Sequence, residues 1–314
     1  MRHQRVLVTG ATGFVGSRLI ECLNGDGHSV IAAVRTPVSA GVPVFQMGDL
    51  SGKQDWSSAL VGLDVIVHCA ARVHVMSEAA ADPLAAFREV NVAGTLNLAR
   101  QAAAAGVRRF IFLSSIKVNG EWTEPGRPFT HNDCPAPADP YAVSKAEAEA
   151  GLQELARQTG MELVIIRPVL VYGPGVKGNF QRMMTWVERG GVLPLGAVDN
   201  RRSLVALDNL VDLIVTCIDH PAAAGQIFLV SDGEDLSTPD MLRLLGQVLG
   251  RQVRLLPVPV SWLRIGAAWL GKRSEAKRLC GSLQVDIEHT CKTLDWKPPV
   301  SLELGFRAAA MTAE

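Results

Sequence analysis

Through the first half of the chain, short apolar runs alternate with stretches whose apolar residues recur at helical spacing. Arg5–Gly10 (RVLVTG) reads as a strand, followed by a helix to about Gly25. His28–Val34 is a second strand and Val42–Met47 a shorter third. Asp64–Ala71 (DVIVHCAA) is a fourth, continuously apolar as a strand buried on both faces should be. A long helical pattern covers Pro83–Ala105 and stops at Gly106. Arg109–Ser115 is a fifth strand, Tyr141–Gln158 a helix ending near Gly160, and Glu162–Pro168 a sixth strand. Strand–helix alternation of this kind predicts an α/β fold: a parallel sheet with helices on both faces and right-handed crossovers.

After Tyr172 the pattern loosens. Gly- and Pro-bearing loops separate helices at Phe180–Arg189, Asp208–His220 and Pro239–Gly250 and a strand at Ile227–Val230. The division expected is a nucleotide-binding domain over 1–172 and a smaller mixed α/β substrate domain over 173–314. The helix near 208–220 is a candidate to pack back on the first domain. The apolar stretch Trp262–Leu270 is far too short to span a bilayer, and Arg264 interrupts it. A packed amphipathic helix is expected there, in preference to one lying on a membrane surface.

Composition narrows the class. At 48% hydrophobic and 20% charged residues the chain predicts a packed globule. Thirty-one basic residues balance 31 acidic ones, which leaves no electrostatic footprint for nucleic acid. The six cysteines form no C-x-x-C pair and no zinc-like grouping with histidine, so reduced thiols, a cytoplasmic location and no metal site are expected. The amino end runs directly into a strand, which fits no signal peptide.

Candidate chemistry begins at Thr9–Gly16 (TGATGFVG), where Gly10, Gly13 and Gly16 lie between the first strand and the first helix. Such glycines let backbone approach a pyrophosphate, and the helix N-terminus offers it N–H groups and a positive dipole end. The doubly wound sheet is therefore expected to be of Rossmann type. In that fold the second strand ends beside the adenosine ribose, where an acid favours NAD and an arginine can pair with the 2′-phosphate of NADP. Here Arg35 stands at that point, and no Asp or Glu lies between Asp26 and Asp49. The alternative is a surface arginine. Asp49 comes too late for the ribose and suits a place near the adenine ring.

Tyr141 and Lys145 share one helix face in Y-A-V-S-K. An ammonium favours ionisation of a nearby phenol, whose ordinary pKa of about 10 suits no base at neutral pH. Tyrosine is scarce: Tyr141 and Tyr172 are the only two. Ser114 and Ser115 follow the fifth strand at the carboxyl edge of the sheet, where such folds bind ligands. A hydroxyl there can hold a carbonyl or alkoxide, or simply cap a helix.

Thr9–Gly16, His68–Ala71 (HCAA), Asn91–Asn97 (NVAGTLN), Phe112–Ser115 (FLSS), Tyr141–Lys145, the pair Arg167–Pro168 and Val171–Gly175 (VYGPG) run in one order over most of the chain. Together they resemble the extended short-chain dehydrogenase/reductase family, which includes nucleotide-sugar epimerases, dehydratases and ketoreductases. The resemblance implies that Tyr141 donates or accepts the proton, Lys145 activates it and reaches the nicotinamide ribose, and Ser115 orients the reacting oxygen. It places Gly10, Thr12, Gly13, Phe14, Val15, Gly16, Arg35, Asp49, Leu50, Cys69, Ala70, Ala71, Asn91 and Pro168 around the cofactor, with Asn91 also steadying the active-site helix. A core role for His68 stays open. Lys117, Asn179, Arg202 and Arg278 would join Ser115 in holding a UDP-sugar, though each can equally be a solvated surface residue.

Dehydratases of the family carry an acid pair after the active-site Ser or Thr, whereas Ile116 and Lys117 stand here. Arg35 tips the expectation toward a ketoreductase using NADP(H), with NAD(H) possible, ahead of a 4-epimerase holding NAD tightly. A non-enzymatic NADP-binding regulator ranks last, because Ser, Tyr and Lys are all present. Resemblance of His68–Met76 and Ser114–Glu121 to a subgroup of bacterial O-antigen and surface-polysaccharide biosynthesis implies a UDP-4-keto-6-deoxy-N-acetylhexosamine substrate. A homodimer through the helices at Pro83–Ala105 and Tyr141–Gln158 is also implied.

Overall fold

The computed structural model describes residues 3–36, 41–73, 82–124, 126–269, 271 and 273–311. Residues 74–76 of the His68–Met76 stretch, and Leu270, lie outside them. Seven strands form the main sheet: β1 Arg5–Thr9, β2 Ser29–Val34, β3 Val44–Gln46, β4 Val65–His68, β5 Arg109–Leu113, β6 Glu162–Pro168 and, far along the chain, Ile227–Val230. Strands β7 Leu170–Tyr172, β8 Val192–Leu193 and β9 Arg202–Ala206 precede that last one, which is therefore β10; β11 Asp235–Leu236 and β12 Arg254–Leu255 follow. The sheet order is β3-β2-β1-β4-β5-β6-β10, and every pairing is parallel. This is the Rossmann-type sheet that the strand–helix alternation predicts.

Period-two alternation decides the two faces. Val6 and Val8 of β1, with Val65 and Val67 of β4, point to a core shared with helices α1 Phe14–Gly25 and Leu207–Asp219. Leu7, Ile66, Phe110 and Phe112 point the other way, onto the helices at Thr95–Ala104 and Pro140–Thr159. All four residues of β4 are buried, as a strand covered on both faces requires.

The long helical pattern over 83–105 is one rod with a defect. After α2 Ser57–Leu60, helix α3 Pro83–Arg88 passes into a π-helical turn, Glu89–Gly94, before α4 Thr95–Ala104 resumes. A side chain at Gly94 would come within 2.8 Å of Leu50, so this turn runs hard against the loop after β3. Helix α5, Pro140–Thr159, has Asp139 as its N-cap, accepting from Ala142 N–H at 2.7 Å, and Pro140 in its first turn.

Beyond residue 172 stand α6 Asn179–Glu188, α7 Leu207–Asp219, α8 Thr238–Val248, α9 Val260–Trp269, α10 Arg273–Cys280, α11 Glu288–Leu294 and α12 Leu302–Ala310. A three-stranded sheet, β11-β9-β7, and the pair β12-β8 accompany them. Tyr172, Phe180 and Phe306 form the aromatic centre of this lobe's core. Two elements from this half serve the main sheet instead: β10 pairs with β6, and α7 packs against α1.

Arg109 fastens α7 to the sheet. Its buried guanidinium donates to the carbonyls of Cys217, Ile218 and His220 at the end of that helix and to Glu162. Replacing Arg109 by Ala strands these acceptors and should cost about 3–5 kcal/mol in urea denaturation. A loss under about 1 kcal/mol would mean that the end of α7 is held by its apolar contacts alone.

Candidate active site

Strands β1, β4 and β5 all end at one edge, and the loops leaving them carry the candidate residues. After β1 the chain turns at Gly10, whose φ is 68° and whose missing side chain would meet the Ala70 amide at 2.7 Å. At Gly16 a Cβ would lie 2.2 Å from the Gly10 carbonyl oxygen. The loop is thus pressed against the strand ends, and only glycine permits it. Gly13 is the N-cap of α1 with no side chain bonded to the first amides, and Thr12 and Gly13 are exposed. An uncapped helix start under a glycine cradle fits a dinucleotide pyrophosphate. Phe14 and Val15 are half-buried against the core, and Phe14 also reaches the core of the second lobe.

The candidate reactive residues lie on the turn after β5 and on α5. Ser115 caps a short 3₁₀ turn at Ile116–Val118, accepting from Lys117 N–H at 3.3 Å, and its hydroxyl lies within hydrogen-bond reach of the Tyr141 phenol. The serine therefore both caps and faces the phenol. Lys145, one turn on, is buried, with Nζ 4.1 Å from the Phe112 ring centroid. Burial pushes Tyr141 up to about 12, with Asp139 adding to the rise and the Ser115 hydrogen bond opposing it. Burial likewise pulls Lys145 down to about 7, against Glu149 and Cys69. The lowered phenol pKa expected from the Tyr–Lys spacing is thus not reached in the protein alone, because burial and the Asp139 charge both raise it.

Beneath them lies a buried ion pair that the sequence reading missed. Glu149 accepts two hydrogen bonds from Arg167, at 3.0 and 2.5 Å, and another from the Ser114 hydroxyl. Arg167 also donates to Asn119 Oδ1 at 2.9 Å. Tyr141, Lys145 and Glu149 are spaced by four along α5, and that recurrence was the available signal. Asn91, at the π-helical turn, donates to Ser144 Oγ at 3.0 Å and exchanges hydrogen bonds with the Arg72 backbone. It ties the loop after β4 to α5. His68 is a core residue, bonded to Thr9 and Thr95 and lying against Phe110 and Phe112; burial drops it to about 3, so it stays neutral. Tyr172 is spent in the second lobe, donating to Asp232 at 2.7 Å.

The remaining predicted residues fall into two groups. Cys69, Ala70 and Ala71 are half-buried beside Gly10, Leu50 is buried under the π-helical turn, and Pro168 is buried at the end of β6. Arg35 and Asp49 come together at the end of β2, with Nη1 and Oδ1 3.9 Å apart and both side chains well exposed. The carboxylate that the sequence withholds from this corner is delivered to it from the loop after β3. On the substrate side, Lys117 is paired with Asp139 at 2.5 Å and lies 5.8 Å from the Tyr141 ring centroid. Arg202 donates to the Arg278 carbonyl oxygen at 2.8 Å, so these two are neighbours, while Asn179 is exposed at the start of α6.

A buried lysine at about 7 has a defined stability signature. Between its folded value and the ordinary 10.5, the unfolded chain binds a proton that the folded chain does not, so stability from this group rises with pH. Wild type should therefore gain about 1–2 kcal/mol relative to Lys145→Met between about pH 7 and about pH 9 in urea denaturation. Parallel curves for the two proteins would show that Lys145 titrates normally.

Residues 6–231 match the model of the NAD dependent epimerase/dehydratase family. A UDP-glucose 4-epimerase of Vibrio cholerae is 51% identical over 97% of this chain and 94% of its own. Among solved structures, a UDP-glucose 4-epimerase of Thermotoga maritima with UDP-glucose superposes with a TM-score of 0.77 at 22% identity, covering 98% of each chain. A Thermus thermophilus UDP-glucose 4-epimerase complex with NAD does so at 0.77 and 24%, again over 98% of each. The Vibrio relative overturns the ketoreductase expected from Arg35: Ser115, Tyr141 and Lys145 suit either reaction, and the arginine that favoured NADP has a carboxylate beside it. The chain belongs to the NAD dependent epimerase/dehydratase family and is an enzyme of the extended short-chain dehydrogenase/reductase type.

Proposed function

We propose that the protein is a UDP-hexose or UDP-N-acetylhexosamine 4-epimerase working with NAD. The observation that carries this reading is the Ser115–Tyr141–Lys145 edge in a chain 51% identical to a UDP-glucose 4-epimerase. The glycine loop and residues through Pro168 hold the dinucleotide, and residues after 172, with Asn179, Arg202 and Arg278, hold the UDP-sugar. Bound NAD supplies the acceptor and donor for the C4 hydride. The protein's part is proton handling. Tyr141 takes the C4 hydroxyl proton and returns it to the oxygen after the sugar has turned. Ser115 bonds that oxygen. Lys145, when protonated, stabilises the phenolate that burial otherwise disfavours.

We read the ribose corner as an NAD site. Asp49 beside Arg35 puts a carboxylate where a 2′-hydroxyl is welcome and a 2′-phosphate is repelled. The homodimer implied by the family would use α3–α5, whose surfaces are already joined by the Arg88–Glu147 pair.

Two measurements test the proposal. Purified enzyme should interconvert UDP-glucose and UDP-galactose, or their N-acetyl forms, without net consumption of added nucleotide, and Tyr141→Phe should lower turnover by at least about 10²-fold. Stoichiometric oxidation of added NADPH would sink the epimerase reading. Asp49→Asn should shift the NADP:NAD affinity ratio upward by about tenfold or more, by freeing Arg35 for a 2′-phosphate. An unchanged ratio would remove both residues from the corner.

A further inference from the structure

Helix α9 is apolar on both sides. Val260 and Leu263 pack on the core of the second lobe, yet none of its residues is fully buried. The opposite side carries Trp262, Ile265 and Trp269, spaced i, i+3, i+7 on one stripe. These are 70%, 58% and 89% exposed. A helix that only packs would turn polar residues outward. A helix stands where the sequence predicts a packed amphipathic one, but it is only partly packed, and its largest apolar residues face away from the protein. Tryptophan this exposed is unusual, since the residue is highly buried on average. Leu256, just before the helix, is 53% exposed as well.

The charge around the stripe is equally uneven. Residues 260–281 hold five basic residues, Arg264, Lys272, Arg273, Lys277 and Arg278, against one acid, Glu275. The segment is therefore +4 in a chain whose 31 basic and 31 acidic residues cancel, which leaves −4 for the rest. Helix α10, which packs on α9, carries Lys277 exposed in its last turn, 3.2 Å from the ring centroid of Trp122, itself 46% exposed. Indoles and an isoleucine on one exposed stripe, in a segment whose sequence carries a net charge of +4, match the layered chemistry of a bilayer surface: acyl boundary, then anionic headgroups. Ten residues of helix, about 15 Å long, suffice to lie in that plane and are far too few to cross it. Among the described residues no helix is long and apolar enough to cross a membrane.

We propose that the outward stripe of α9, with the basic end of α10 beside it, docks the protein on an anionic lipid bilayer. Docking is peripheral and reversible: apolar area from two indoles and an isoleucine adds to attraction between the cationic segment and the headgroups. This inference concerns a surface and does not rest on the reaction proposed above.

The test is co-sedimentation of the full chain with vesicles of phosphatidylcholine alone and of phosphatidylcholine with phosphatidylglycerol. Binding should require phosphatidylglycerol, weaken as salt is raised, and blue-shift the tryptophan emission. The double variant Trp262→Ser, Trp269→Ser should lose at least about tenfold in partitioning. Because neither residue is in the core, circular dichroism and catalytic activity without vesicles should be unchanged. Equal binding by the variant, or no binding of wild type to either vesicle, would overturn the proposal. So would a dimer that the variant converts to monomer while wild type ignores vesicles: a second copy would then cover the stripe.

Discussion

The site depends on one buried ion pair. Glu149 and Arg167 meet bidentately with side chains almost fully removed from water, where two charges are tolerated only because each satisfies the other. Arg167 belongs to β6 and Glu149 to α5, while Ser114 and Asn119, which complete the pair, flank the turn after β5. Three elements are therefore locked in one register. Breaking such a pair typically costs about 3–5 kcal/mol, since the survivor is left charged and unpaired. That penalty keeps α5 from sliding or rotating, so Tyr141 stays opposite Ser115 and Lys145 stays beneath. The pair also places a negative charge near a lysine that burial drives toward neutrality, and so favours its ammonium form.

The second constraint is the backbone contact at Gly10 and Gly16. It draws the start of α1 against the strand ends, while Phe14 reaches both the main core and that of the second lobe. The glycine loop is thus a joint between lobes. The π-helical turn at Glu89–Gly94 works similarly: by breaking helical register it lets Asn91 hold Ser144 and the Arg72 backbone at once.

Much of this is legible in the sequence. The apolar runs mark the strands of the main sheet, because a parallel strand covered on both faces has no reason to carry polar residues. The glycine loop and the Tyr–Lys spacing are local, and local chemistry reads directly. What escaped depends on contacts distant in sequence. Asp49 reaches Arg35 only because β3 pairs with β2; read linearly, it looks too late for the ribose, and that misplacement led to NADP and to a reductase. Glu149 looks like any exposed helix glutamate until β6 brings Arg167 to it. The helix of Trp262 and Trp269 reads as a packed one because composition cannot say which side of a helix faces inward.

Strand β10 has a consequence for how the protein is made. Synthesis proceeds from the amino end, and β6 is complete at Pro168, but its outer neighbour is not translated until Ile227–Val230. For some sixty residues of elongation, the nascent sheet holds an unpaired edge of β6, open to pairing with another chain. The helix whose end Arg109 holds also arrives in that interval, as Leu207–Asp219. Fragments ending near residue 172 are therefore unfinished sheets, not self-sufficient nucleotide-binding modules. The gene cannot be cut there without exposing the edge that β10 covers.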